Sequence, residues 1–409
     1  MLKGTLYCAL DITAGKIAAA AAVVRSNNAL SDIVCSSGPS AGIKDGRVAQ
    51  MGELSESVSR VLKELSGQTG RKIKSLYACL ISPHIKTNHS RGAIPISERS
   101  HKIITSGDVA RVNKQAYSLG LNIQEEVLHQ AAQGYTIDNH NRVLNPEGLY
   151  GHKLEVDLLL ITAMNTDAQN IISAVERAGY RAQGLVLSAY ATGLAVVPDA
   201  DKDKGCVLID IGFDTTQLLI YKDGMVRAFE VFGRGSSHIT ETLSKELKLP
   251  ADLAETVKIS YGKAFSQPVS SETEVLIKKD GAYLPIKQKE VCAVIERELD
   301  ELFSEIKKRL EAYQKALGLP VGIIASGKIA VLDGFLESLE RHFNLPVRLA
   351  KIDPSVYPRP GDLAYATAIG ALRYAVSQSP RIELLRLSSY GNAFQKVAHK
   401  TKEIYQEYF

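Results

Sequence analysis

Two stretches nearly two hundred residues apart carry the same order of apolar and polar positions. In each, an apolar run ends in an aspartate, a turn of small or hydroxyl residues follows, and a second apolar run resumes. The first predicts strands over 7–10 and 17–24 around the loop Asp11-Ile12-Thr13-Ala14-Gly15-Lys16. The second predicts strands over 206–209 and 217–221 around Asp210-Ile211-Gly212-Phe213-Asp214-Thr215-Thr216. Elsewhere the apolar spacing changes to three and four. Leu54, Val58, Val61, Leu62 and Leu65 share one face of a helix over 54–65, and a longer stripe from Val291 to Leu310 predicts a helix over 290–317. A Gly- and Ser-rich passage over 36–46 reads as a connection, and a strand over 75–81 stops at Ser82-Pro83. From 84 to about 162 the texture changes. Ser106-Gly107-Asp108 opens a helix running to Leu119, and strands follow over 126–133 and 154–161, which reads as an inserted α+β block. A helix over 166–178 closed by Gly179 and a strand over 184–187 resume the first lobe. The second lobe opens at Gly205 and continues with a strand over 224–232 and helices over 237–247 and from Pro250. A strand over 320–325 enters the turn Ala325-Ser326-Gly327-Lys328, and a helix over 333–343 follows.

A chain of 409 residues, 45% apolar and 23% charged, exceeds one ordinary core and predicts two or more lobes. Its 49 basic and 45 acidic residues are spread along the chain, with no basic block to track a phosphate backbone, so no nucleic acid partner is expected. Cys8, Cys35, Cys79, Cys206 and Cys292 show neither a C-x-x-C pair nor a metal-ligand spacing and read as reduced thiols of a cytosolic protein. No apolar run approaches the roughly 20 residues that span a bilayer. A single aspartate in a tight loop reads as a turn residue. Two such loops facing each other read as a polyphosphate site, with backbone N–H groups as anion nests and Asp11 and Asp210 holding waters on Mg2+.

Several stretches then resemble the FtsA family of bacterial cell-division proteins. They are Cys8-Ala9-Leu10-Asp11-Ile12; Leu144-Asn145-Pro146-Glu147-Gly148-Leu149-Tyr150-Gly151 with Leu154-Glu155-Val156-Asp157; Val175-Glu176-Arg177-Ala178-Gly179; Ile209-Asp210-Ile211-Gly212; Ala254-Glu255, Val257-Lys258 and Tyr261-Gly262; and Ala366-Thr367-Ala368-Ile369-Gly370. The resemblance runs from about residue 4 to 375. It implies an α/β, actin-like fold: two RNase H-like lobes around a nucleotide cleft, with a small α+β subdomain inserted in the first lobe. The implied division is a first lobe of 1–83, 164–190 and 360–380; an inserted subdomain of 84–163; a second-lobe base of 191–233 and 300–359; an outer subdomain of 234–299; and a tail of 381–409. It further implies a protein that binds ATP with Mg2+, assembles into filaments with itself, binds the FtsZ C-terminal peptide, and tethers FtsZ filaments to the inner face of the cytoplasmic membrane. Carried over, Asp11, Thr13, Gly15 and Lys16 belong to the first phosphate loop and Asp210, Gly212, Thr215 and Thr216 to the second. Gly235, Glu255 and Lys258 lie by the ribose and base, and Gly327 in the adenosine turn. Without the resemblance, Glu255 and Lys258 read as an exposed helix face.

The sequence departs from the family pattern at the loops. Thr13 and Ala14 stand where the family has Gly and Thr, Phe213 and Asp214 replace two glycines, and Gln217 replaces an acid. The third turn, usually Thr-Gly-Gly, is Ala325-Ser326-Gly327 before Lys328. Phe213 crowds the nest, and the Asp214 carboxylate repels phosphate unless Mg2+ or Lys16 compensates. ATP turnover is therefore expected to be slow at most, with a nucleotide-free scaffold as an alternative. At the other end, Asn392 can cap a helix over 392–409 whose stripe includes Phe394, Val397, Ile404, Tyr405 and Tyr408, the build of an interfacial membrane anchor. Its Lys396, Lys400 and Lys402 are balanced by Glu403, Glu407 and the terminal carboxylate, so docking on protein is the alternative. A PilM-like adaptor of a pilus or secretion machine shares the implied fold and insertion, and a kinase or Hsp70-type ATPase fits the loops least.

Overall fold

The computed structural model describes residues 5–24, 30–97, 102–267, 269–279, 282–318, 320–354, 357 and 363–378. The strand Thr5–Ile12 runs antiparallel to Ile17–Val24 in unbroken register, Thr5 opposite Val24 and Ile12 opposite Ile17. Ile17–Val24 is Ala-rich yet buried at all eight positions. Alanine is a poor strand former, so packing holds this strand: successive side chains alternate faces, and burying all of them requires cover on both sides. The helices Met51–Thr69 and Ala366–Ser377 both pack against it.

The first sheet has the order Arg181–Leu187, Ser75–Leu80, Thr5–Ile12, Ile17–Val24, Leu30–Gly38. Its first two junctions are parallel and its last two antiparallel. The second sheet repeats that plan in Val347–Leu349, Ile323–Ser326, Cys206–Ile211, Thr216–Lys222, Met225–Phe232. In each lobe the aspartate-bearing strand is central, and its aspartate sits at the carboxyl end, where open α/β sheets bind ligands. The passage over 36–46 is not wholly a connection. Leu30–Gly38 is a third strand, with Ser36, Ser37 and Gly38 paired to Ala19, Ala18 and Ile17. Ladder hydrogen bonds belong to the backbone, so a Ser-Ser-Gly end completes a strand without any apolar signal.

The inserted block forms a four-stranded antiparallel sheet of Asn141–Val143, Glu125–Ile137, Lys153–Met164 and Lys86–Pro95. The helix Ser106–Leu119 covers it, and Ile104, Val112, Leu154, Leu158 and Leu160 make a core of its own. A Cβ at Gly92 would lie 2.7 Å from the Ala116 backbone nitrogen, so glycine permits this close strand–helix approach. The helix is capped one residue earlier than the sequence suggests. Thr105 N–H donates to Asp108 Oδ2 at 3.0 Å and Asp108 N–H to Thr105 Oγ1 at 3.3 Å, a reciprocal capping box.

In the second lobe the helices Ser236–Glu246 and Ala251–Tyr261 and the hairpin Glu274–Lys279 with Ala282–Lys287 lie outside the sheet. The helix Gln288–Leu317 buries its apolar stripe in the same core, where the Phe303 and Phe335 rings meet edge-on at 5.7 Å. The lobes are joined by the helices Ser188–Val196 and Ala366–Ser377. A Cβ on Gly370 would lie only 1.7 Å from the Ala191 carbonyl oxygen.

Candidate functional site

Asp11 and Asp210 are the penultimate residues of the equivalent strands Thr5–Ile12 and Cys206–Ile211, and the two carboxylates are close enough for the charge of Asp210 to act on Asp11. Asp11 is 5% exposed, and its Oδ1 has no hydrogen-bond partner among the described residues. Burial pushes its carboxyl up to about 7, opposed by Lys16 and reinforced by the charge of Asp210. Burial also raises Asp210, against hydrogen bonds from the Thr192 and Ser326 hydroxyls. Thr192 Oγ1 lies 3.1 Å from Asp210 Oδ2 and 2.9 Å from Thr367 Oγ1. Thr192 and Thr367, one on each joining helix, thus complete the floor of the cleft. Sequence reading assigned neither a role, although Thr367 lay within the Ala-Thr-Ala-Ile-Gly stretch.

A buried carboxylate with an oxygen unpartnered among the described residues, beside a half-buried second carboxylate, forms a site that either keeps a proton or takes a cation. Hard oxygen donors suit Mg2+, which retains several waters and uses one or two carboxylates plus phosphate oxygens. No cluster of three or more His, Cys, Asp or Glu with metal-binding geometry exists among the described residues, so this pair would supply the protein's share.

The loops above the floor are closed by their own groups. In the first, Thr13 N–H donates to Lys16 O at 3.1 Å, as does the Thr13 hydroxyl at 2.8 Å. Lys16 Nζ donates to the Ala364 carbonyl and lies 5.5 Å from the Tyr365 ring centroid. In the second, Gly212 N–H donates to Thr215 O at 2.9 Å, while Ser236 and Ser237 donate their N–H groups to Gly212 O and Phe213 O at 3.0 and 2.8 Å. Thr215 and Thr216 are buried, and the Thr216 hydroxyl donates to Arg234 O at 2.7 Å. The Phe213 ring packs against Gly15, 3.3 Å from where a Cβ would stand, so the loops touch. Asp214 Oδ2 accepts the Gly46 N–H at 3.2 Å. Gln217, where an acid was expected, is buried, and its Oε1 accepts the Ala189 N–H at 3.1 Å.

Towards the outer subdomain, Gly235 backs directly onto the second loop: a Cβ there would lie 2.3 Å from Phe213 O. Lys258 is buried and donates to Ser236 O at 2.9 Å and Thr240 Oγ1 at 2.8 Å, with Glu255 Oε2 2.6 Å away. Burial lowers its pKa, and Glu255 restrains the fall. These residues are therefore no exposed face; they tie two helices together beside the loop. Gly327 has φ +98°, and a Cβ would fall 2.0 Å from Ile211 O, so only glycine fits that turn. The anticipated residues Asp11, Thr13, Gly15, Asp210, Gly212, Thr215, Thr216, Gly235 and Gly327 thus converge on two touching loops, with Glu255 and Lys258 at their flank. Phe394, Val397, Ile404, Tyr405 and Tyr408 lie outside the described residues.

Comparison with known proteins agrees with this layout. The family model described as "Cell division protein FtsA" matches residues 207–370, and "SHS2 domain inserted in FTSA" matches residues 82–162. FtsA of Pseudomonas aeruginosa is 28% identical over 383 residues, covering 92% of this chain and 90% of that relative. FtsA of Escherichia coli K12 is 28% identical over 390 residues, covering 91% and 92%. Among solved structures, the "PilM-PilN type IV pilus biogenesis complex" aligns with a TM-score of 0.61 at 17% identity, covering 90% of this chain and 98% of that one. MreB5 of Spiroplasma citri bound to AMPPNP aligns at 0.52 with 13% identity, covering 95% and 100%. The MamK double helical filament aligns at 0.53 with 12% identity, covering 92% and 99%. These structural likenesses establish the actin-like fold.

Proposed function

We propose that this chain, a member of the FtsA family with the actin-like fold, binds ATP with Mg2+ between its two aspartate loops, assembles with copies of itself, and tethers FtsZ filaments to the cytoplasmic membrane. The observation that carries the nucleotide reading is the pair Asp11 and Asp210, Asp11 buried and Asp210 half-buried, with Asp11 Oδ1 left without a partner among the described residues. Asp11 and Asp210 would hold Mg2+ through water, and the bound ion would neutralise phosphate charge. Gly327 would admit the adenosine, while Glu255 and Lys258 would fix the helices beside it. With Thr13 and Phe213 closing the loops, turnover is slow at most. Self-assembly is supported by the fold shared with the MamK filament. The division role is supported by the FtsA relatives and the FtsA-type insertion, with the FtsZ C-terminal peptide as the recruited partner.

Among the described residues no helix is long and apolar enough to cross a membrane, and the proposed attachment is peripheral, at the inner face, through residues 392–409. Deleting residues 392–409 is expected to abolish co-sedimentation with anionic liposomes while leaving the thermal transition in place. If the shortened protein pellets with lipid as the full chain does, the tail is not the anchor.

A further inference from the structure

We infer that Asp214 is a built-in anion that latches the turn between Ile43–Lys44 and Arg47–Val48 of the first lobe onto the second lobe, closing the phosphate end of the cleft with the protein's own groups. The hairpin belongs firmly to the first lobe. Ala49 and Gln50 donate their N–H groups to Gly42 O at 2.8 and 3.0 Å. Arg47 Nε donates to Asp167 Oδ1 at 3.2 Å, and Asp167 Oδ2 accepts the Ser82 hydroxyl at 2.5 Å, with His84 Nδ1 at 3.3 Å. Burial alone would raise Asp167, but these bonds hold its carboxyl below the ordinary range, so the arginine faces a charged partner.

The tip crosses to the other lobe. Asp45 and Gly46 have φ +52° and +70°, the two-residue turn in which both central residues are left-handed. Such a turn presents successive N–H groups to an anion. Here the anion is the Asp214 carboxylate, which accepts the Gly46 N–H at 3.2 Å; burial and the Asp45 charge raise its pKa, while the Gly46 amide, the Ser237 hydroxyl and the Asp45 amide favour its charged form. The tip is also wedged sterically: a Cβ at Gly46 would stand 3.3 Å from the Pro83 ring and 3.5 Å from the Thr215 methyl. The Phe213 ring beside it rests on Gly15. Both residues thus bridge first-lobe groups at the two positions where glycines were expected. The bland alternative, a solvated loop carboxylate, does not account for three donors drawn from two lobes.

A polyphosphate entering this end must lift Phe213 from Gly15 and place its charge beside Asp214. That consequence rests on the nucleotide reading above, whereas the latch itself does not. The test is hydrogen exchange of the full chain without nucleotide, comparing the wild type with Asp214→Gly and Asp214→Asn, with the Cys206–Ile211 strand as the internal control for folding. Asp214→Gly is expected to speed exchange at the Asp45 and Gly46 amides about tenfold, as for loss of hydrogen bonds to a charged group, and Asp214→Asn to do so less. The same variant together with Phe213→Gly is expected to show a larger thermal shift than wild type with Mg·ATP. Unchanged exchange in the hairpin overturns the latch whatever nucleotide does. Faster exchange with no Mg·ATP shift in any variant upholds the latch and removes the nucleotide reading.

Discussion

Replacing Asp11 by Asn is expected to raise the stability of the ligand-free protein at pH 8 and to remove its response to Mg2+ and nucleotide together. In the unfolded chain this carboxyl titrates near 3.8, and in the folded protein burial and Asp210 push it up to about 7. Between those values the folded protein keeps a proton that the unfolded chain has released, so stability falls as pH rises from about 4 to 7, and the loss is complete above 7. About three pKa units at 1.36 kcal/mol each put that loss at roughly 4 kcal/mol. A neutral amide does not suffer it. The variant should therefore melt higher than wild type at pH 8 and match it near pH 4, with an intermediate difference at pH 6. A variant that melts lower at pH 8 would show that the Asp11 charge is compensated by groups already in the folded chain. The same titration makes Mg2+ affinity rise with pH through 7, because the cation needs the ionised carboxylate.

Gly370→Ala is expected to destabilise the protein by about 3 kcal/mol, at the upper end of the range for overpacking. The added carbon would lie 1.7 Å from Ala191 O and 2.6 Å from Ala191 C, and backbone cannot swing aside as a side chain can. The helices Ser188–Val196 and Ala366–Ser377 must part. Their separation also breaks the bond from Arg373 to Leu194 O and draws Thr367 from Thr192, so the cleft floor opens. Gly67→Ala, within the helix Met51–Thr69 and with nothing among the described residues within 4 Å of the new carbon, is the control and should stabilise by about 0.5–1 kcal/mol. Urea unfolding midpoints measure both. Equal behaviour of the two variants would mean that the helix crossing is looser than 1.7 Å implies.

The repeated strand–loop–strand unit was legible because each half carries an unbroken apolar run on either side of its aspartate, and both became the central hairpin of a sheet. The long stripe from Val291 to Leu310 was equally plain, since periodicity over several turns has few readings. Leu30–Gly38 was hidden because its Ser-Ser-Gly end pairs through backbone alone. The joining helix Ser188–Val196 was missed for the opposite reason: it is buried nearly all round, so no polar face marks its period. At the site, the positions of Asp11 and Asp210 could be read from sequence, but their partners could not. Gln217 looked like the loss of an acid and proves to hold the Ala189 amide across the lobes. Without the family resemblance Glu255 and Lys258 read as an exposed helix face, yet Lys258 is packed against Ser236 and Thr240 with Glu255 beside it. Asp214 looked only repulsive, because the hairpin amides that satisfy it lie about 170 residues earlier in the chain.

Thermal unfolding of the full chain at pH 8, with and without millimolar Mg·ATP, most directly tests whether the two aspartate loops form one Mg–nucleotide site. A ligand at about 100 times its dissociation constant adds about 2.7 kcal/mol of stability. The account predicts an upward shift in the wild type that disappears in both Asp11→Asn and Asp210→Asn. No shift in the wild type, or one that survives both substitutions, would contradict it.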